Sequence, residues 1–232
     1  MATPQLLDVR QHAHLRLRNA SAPPPHFVQV LATEFAAAAT CCPILFSKDT
    51  SDGRFFAGAM LGFKPGENLV GGVDERGGFD PLMLRRDGFF ISGAQLAIDR
   101  DHERFSEADG EALFDDSGAP SAALRAVQRA LGEIHAGLEQ TRAFMTAVSE
   151  LKLIEPIDIS LTFDDGERLS LQGLYTVSLD RLRELDDAAA VRLFRQGYLQ
   201  HAYTMAASLK HIQRLARLRD SKTRFLPKNG NP

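Results

Sequence analysis

The sequence predicts an α+β fold, and three observations carry that reading. Strand-like segments come early in the chain, before the first long helix. Leu124, Val127, Leu131, Ile134, Leu138, Thr141, Met145 and Val148 then recur at alternating three and four residues, one narrow stripe along a long helix. An alternating hairpin follows, and after it more helical spacing. A wound parallel sheet would instead alternate strand and helix throughout. The 232 residues suit a single domain over 1–220, or two lobes of about 1–118 and 119–220, with 221–232 as a basic flexible tail.

Taken in order, residues 12–18 alternate His12, His14, Arg16 and Arg18 with Ala13, Leu15 and Leu17, which is strand spacing. Ala20 to Pro25 breaks regular structure. Phe27, Leu31, Phe35 and Ala38 predict a helix over 27–40, stopped by Pro43. Ile44-Leu45-Phe46 reads as a buried strand and 54–63 as another, closed by the Pro65-Gly66-Glu67-Asn68 turn. A glycine-rich stretch from Gly71 to Gly78 leads to Leu84-Arg85-Arg86, and strand character resumes over 89–98. Between Asp99 and Asp116, eight carboxylates stand against two arginines, an acidic connector. Ser121 caps the long helix and Pro156 forbids its continuation.

The hairpin alternates Ile157, Ile159, Leu161 and Phe163 with polar residues and turns at Asp164-Asp165-Gly166-Glu167. Leu169, Leu171, Gly173, Tyr175 and Val177 repeat the period on the return strand. Ser178 or Asp180 starts a short helix, Asp186 caps another, and Gly197 separates that one from a last helix over 198–219.

Composition narrows the classes further. Apolar residues at 44% and charged residues at 25% are ordinary globular values, which excludes disorder and fibrous repeats. Charges interrupt every apolar run, so no membrane span is expected, and the N-terminus lacks the apolar core of a secretory signal. Two adjacent cysteines, Cys41 and Cys42, build no disulfide framework; the expected location is cytoplasmic. The net charge is −3, yet residues 210–228 carry +6, leaving −9 elsewhere. Cations at the C-terminus of a helix explain that segment, and with no aromatic before Phe225 a nucleic-acid surface is not expected.

Specific chemistry is sparse. His12 and His14, two apart on the expected strand, are the candidate metal ligands, but polar residues on the wet face of an edge strand explain them equally and no metal is expected. Asp99-Arg100-Asp101-His102-Glu103 resembles the start of a calcium loop, but Arg104 stands where that loop needs glycine. No phosphate-binding loop, dinucleotide fingerprint or nucleophile elbow is present. The cysteines follow a predicted helix C-terminus, which disfavours a thiolate. Neither a cofactor nor a catalytic residue is assigned.

Several segments together resemble the SapC-like family of bacterial proteins. They are Cys42-Pro43-Ile44-Leu45-Phe46-Ser47-Lys48-Asp49, Leu61-Gly62-Phe63 with Gly66-Glu67-Asn68-Leu69, and Leu84-Arg85-Arg86 before Phe89-Phe90. Leu113-Phe114-Asp115 with Gly118-Ala119-Pro120-Ser121, Gly173-Leu174-Tyr175-Thr176-Val177 and Ser208-Leu209-Lys210-His211-Ile212-Gln213-Arg214-Leu215 complete the order. The chain departs from the family in carrying Gly77-Gly78-Phe79-Asp80-Pro81, and no tryptophan, where relatives have an aromatic cluster. The resemblance implies a surface-layer, export or outer-membrane uptake context, and supplies no catalytic residue.

The expected function is therefore that of a non-catalytic accessory protein working through a protein partner. The alternative is an enzyme, or a substrate-binding component that, as the resemblance implies, serves an oxidative hydroxylase or halogenase on a small molecule or peptide. Its pocket would draw on Lys48, Asp49, Asn68, Arg85 and Arg86, since paired guanidinium groups suit carboxylates and phosphates. For the stripe of the long helix, packing within the chain is expected; a homodimer seam is the alternative.

Overall fold

A computed structural model describes residues 4–18, 23–71 and 78–225. Residues 1–3, 19–22, 72–77 and 226–232 lie outside it, and with them Ala20 to Ala22, most of the glycine-rich stretch and the end of the expected tail. The first elements are β1 (Gln5–Leu6), α1 (Val9–His12), β2 (Arg16–Leu17), β3 (Phe27–Gln29), α2 (Phe35–Ala38), β4 (Ile44–Lys48) and β5 (Phe55–Met60). Next come α3 (Leu82–Arg85), β6 (Phe89–Ser92), β7 (Gln95–Ile98), β8 (Phe105–Ser106), β9 (Glu111–Ala112) and α4 (Ala122–Glu150). Last are β10 (Ile154–Pro156), β11 (Ile159–Thr162), β12 (Arg168–Leu171), β13 (Tyr175–Val177), α5 (Leu179–Arg183), α6 (Asp187–Arg195), α7 (Tyr198–Ser208) and α8 (His211–Phe225). Helices and purely antiparallel pairings make this an α+β chain, as its spacing predicts.

The chain divides into two compact units, each assembled from separated segments. Residues 1–24 and 80–139 form the first, 25–79 and 140–232 the second, and α4 contributes to both. In the first unit two small sheets, β1-β7-β6 and β8-β2-β9, enclose a core that includes Leu15, Phe89, Ile98 and Leu113. Leu124 and Val127 of α4 join that core, and Ser121 caps the helix by accepting the Leu124 N–H at 3.2 Å. Arg104 is buried here, with the Asp87 and Asp80 carboxylates near enough to favour its charge against the cost of burial. Its Nη1 donates to the carbonyls of Leu84, Arg85 and Asp87 at 2.9, 3.0 and 3.1 Å, so a guanidinium closes the end of α3.

Residues 12–18 do not form the expected strand. Asp8 accepts from the N–H groups of Arg10 and Gln11 and starts the one-turn helix α1, which leaves only Arg16 and Leu17 extended.

The second unit is built on a five-stranded antiparallel sheet of order β10-β13-β4-β5-β3. Its central strand β4 is the buried Ile44-Leu45-Phe46 segment. Phe144 of α4, fully buried, meets the rings of Phe35, Phe46, Tyr198 and His201 at centroid distances of 5.7, 6.4, 5.7 and 5.4 Å. The stripe is thus packed within the chain: Leu124, Val127, Leu131, Ile134, Thr141 and Val148 are buried, Leu138 and Met145 half-buried. Thr141, its one polar member, accepts the buried Ala32 N–H at 3.0 Å.

Three expectations change in this unit. The predicted helix over 27–40 is instead the edge strand β3 followed by a 3₁₀ turn and the single turn α2; Glu34 closes the bend by accepting the Leu31 N–H at 2.9 Å. The hairpin pairs Ile159–Thr162 with Arg168–Leu171, but its return strand breaks at Gly173, whose φ of +74° only glycine adopts freely, and Tyr175–Val177 joins the large sheet. The last helix is two. Buried Ser208 donates to the Met205 carbonyl at 2.6 Å and accepts the Ile44 N–H at 2.8 Å, and the chain turns there before α8. The basic segment is helical as far as Phe225. Ser178 and Asp186 cap α5 and α6 as their positions predict.

Candidate functional site

The candidate site lies in the second unit, at one edge of its sheet. β5 opens with two phenylalanines, and alternation sends Phe55 to one face and Phe56 to the other. Lys48 stands opposite Phe55 in the register, and its Nζ lies 4.9 Å from the Phe55 ring centre and 5.3 Å from that of Tyr175, a cation over two aromatic faces. On the opposite face, Phe27 meets Phe56 edge-on at 6.1 Å. The Phe27 ring also packs close to Gly58, where an added Cβ would come within 2.3 Å of it, so glycine admits the ring in this position.

The β4–β5 turn completes the site. Asp49 accepts from the N–H and hydroxyl of Ser51 at 2.8 and 2.6 Å, and these bonds hold its carboxyl below the usual range. Asp52 accepts the Arg54 N–H at 2.9 Å and faces the Arg54 guanidinium at 3.5 Å. Phe27, Gln29, Asp49, Asp52, Arg54, Phe55 and Phe56 line an open cleft of about 390 Å³.

Beside the cleft the sheet ends. Val30 N–H donates to Ala57 at 3.0 Å, Leu61 N–H to His26 at 2.7 Å, and Val28 stands opposite Ala59. Backbone groups of residues 26, 28 and 30 therefore turn inward to β5, while the N–H and C=O groups of Phe27 and Gln29 point away from the sheet. Together the cleft offers two aromatic faces, charges of both signs and a row of outward peptide groups. Such a surface is suited to holding an extended chain.

Residues singled out from the sequence separate. Asp49 lines this cleft, whereas Lys48 does not and instead lies over Phe55 and Tyr175 on the other face of the sheet from Phe27 and Phe56. Asn68, in the same unit, is occupied with its own turn: its Oδ1 accepts from Val70 and Gly71 at 3.0 and 3.2 Å, and its carbonyl accepts from Lys222 at 3.0 Å. Arg85 and Arg86 belong to the first unit. Arg85 pairs with Asp80 at 2.9 Å; Arg86 donates to the Phe89 carbonyl at 3.4 Å and lies 5.8 Å from the Phe90 ring. Both arginine side chains are half-buried.

His12 and His14 share no strand face: His12 is buried at the end of α1, where its Nδ1 accepts the Asp8 N–H at 3.0 Å, and exposed His14 faces Glu107 at 3.5 Å. Among the described residues, no group of three or more His, Cys, Asp or Glu is placed to hold a metal ion. None of the described helices is long and apolar enough to cross a membrane.

The SapC family model matches residues 7–215, most of the chain and both units. The chain belongs to the SapC family. Among curated proteins and among solved structures nothing matches. Within this SapC chain, Phe27, Arg54 and Phe56 escape sequence reasoning because the cleft joins segments far apart in number. The available signal was Phe55-Phe56 opening a strand with Gly58 two residues on.

Proposed function

We propose that this SapC protein is a non-catalytic accessory protein of the cytoplasm that receives an extended segment of a protein partner along β3 and its cleft. The observation carrying this reading is the outward row of peptide groups at Phe27 and Gln29, beside aromatic faces that can take alternate side chains of an added strand. Asp49 lines that surface. The link to surface-layer, export or outer-membrane uptake systems rests on the family. Asn68, Arg85 and Arg86 are left out of the proposed surface, since their polar groups hold local structure.

The test is the Gln29→Pro variant. Proline at this position removes an outward N–H without breaking a bond to β5, so the fold is retained. Wild-type protein should recover a partner encoded by neighbouring genes from the native host, and the variant, with an unchanged thermal midpoint, should not. Equal recovery by both proteins would refute the edge as the docking surface. Turnover of a small molecule by the purified chain alone would replace this reading with an enzymatic one.

A further inference from the structure

The chain has two cysteines, and the proposed docking surface uses neither. Cys41 and Cys42 lie in the turn between α2 and β4, both buried, with their Sγ atoms 3.5 Å apart. Adjacent side chains in extended backbone would point to opposite sides; this turn brings them together instead. Helix α8 holds the turn in that form. His211 Nε2 lies 2.9 Å from the Ala39 carbonyl oxygen, and Arg214 Nη1 donates to the Cys41 carbonyl at 3.2 Å. The carbonyl two residues before the pair and the one that joins its two members are thus held by side chains from a distant segment, and the Arg214 charge favours a thiolate at either sulfur.

We propose that Cys41 and Cys42 form a thiol–disulfide exchange site whose substrate is a low-molecular-weight disulfide. The Cys41 thiolate attacks one sulfur of that disulfide. A mixed disulfide forms, and the released half takes up the proton that Cys41 gave. The Cys42 thiolate then attacks the Cys41 sulfur, the Cys41–Cys42 bond forms, and the second half departs as a thiol carrying the Cys42 proton. The protein loses two electrons and two protons, and one disulfide becomes two thiols.

The assignment of roles follows from the surroundings. The contact between the two sulfurs draws the Cys41 thiol down, while the same contact and burial push Cys42 up. Both sulfurs are covered, so exchange selects a small disulfide over a protein one and requires the turn to open locally. Adjacent Cα atoms are only about 3.8 Å apart, closer than the roughly 4.4–6.8 Å of ordinary disulfides, so the closed ring is readily reduced again. That makes the pair a reversible site rather than a staple.

The test uses the full reduced chain, freed of reductant and incubated folded with oxidised glutathione. Intact mass should show a monomer lighter by two hydrogen atoms, inert to maleimide and restored by dithiothreitol. With only two cysteines in the chain, an intramolecular bond can join no other pair. Cys42→Ser should stop at one glutathione on residue 41. Unchanged thiols in the folded chain, reaction only in urea, a lasting single glutathione adduct on the wild type, or intermolecular dimers as sole product would each overturn the proposal. Should the variant fail to fold, the wild-type mass alone decides.

Discussion

The two units stabilise themselves by different means. The second has a five-stranded sheet and a continuous aromatic core around Phe144, so ladder hydrogen bonds and buried rings carry it. Strands β1, β2, β8 and β9 of the first unit are two residues long and form few ladder bonds. Arginine side chains supply what those ladders lack. Arg104 binds three carbonyls at the end of α3 and the Arg18 carbonyl at 3.2 Å, Arg16 donates to Gly110 at 3.1 Å, and Arg18 grips Asp109 through two 2.9 Å bonds. A fold poor in regular pairing can still satisfy its buried backbone, provided that multi-donor side chains reach it.

The largest effect that would break this contrast is expected from Phe144→Ala. Removing a fully buried ring that touches four others should cost about 3–5 kcal/mol, read from the urea midpoint, with hydrogen exchange accelerated in the second unit. Arg104→Lys keeps the charge but cannot hold the same fork, and should cost about 2 kcal/mol. Exchange should rise first at residues 84–87, and a loss spread evenly over both units would contradict the contrast.

The smallest effect concerns pH and sharpens the description of the second unit. Burial against Phe35 and Phe144 lowers the pKa of His201 below its ordinary 6.5. Below that value the unfolded chain takes up a proton that the folded ring resists, so stability should fall as pH drops through 6.5. The slope stays under the one-proton limit of about 1.4 kcal/mol per pH unit, because the ring is only half-buried. His201→Phe should flatten it; an unchanged slope would show that another group titrates.

How much of this was legible depends on where each signal resides. The α4 stripe, the Asp-Gly hairpin and the caps at Ser121, Ser178 and Asp186 are local features and read directly from the sequence. Phe27, Leu31 and Phe35 keep helical spacing, yet pairing with β5 makes Phe27 a strand residue, and no local letter reports that partner. The break after α7 has no proline or glycine to announce it; Ser208 turns the chain by serving Ile44, 164 residues away. At the candidate site, Asp49 was legible as the polar residue that follows a buried strand. Arg104 was not, since in the sequence it only dilutes an acidic stretch.

Gly58 carries a consequence for how this protein can vary. The Phe27 ring occupies the space that any side chain at 58 would need. A single mutation at either position is therefore judged against the residue already present at the other. A lineage that acquires alanine at 58 must displace or shrink the ring at 27, and so alters one wall of the cleft. At this wall of the cleft the two positions are one heritable choice.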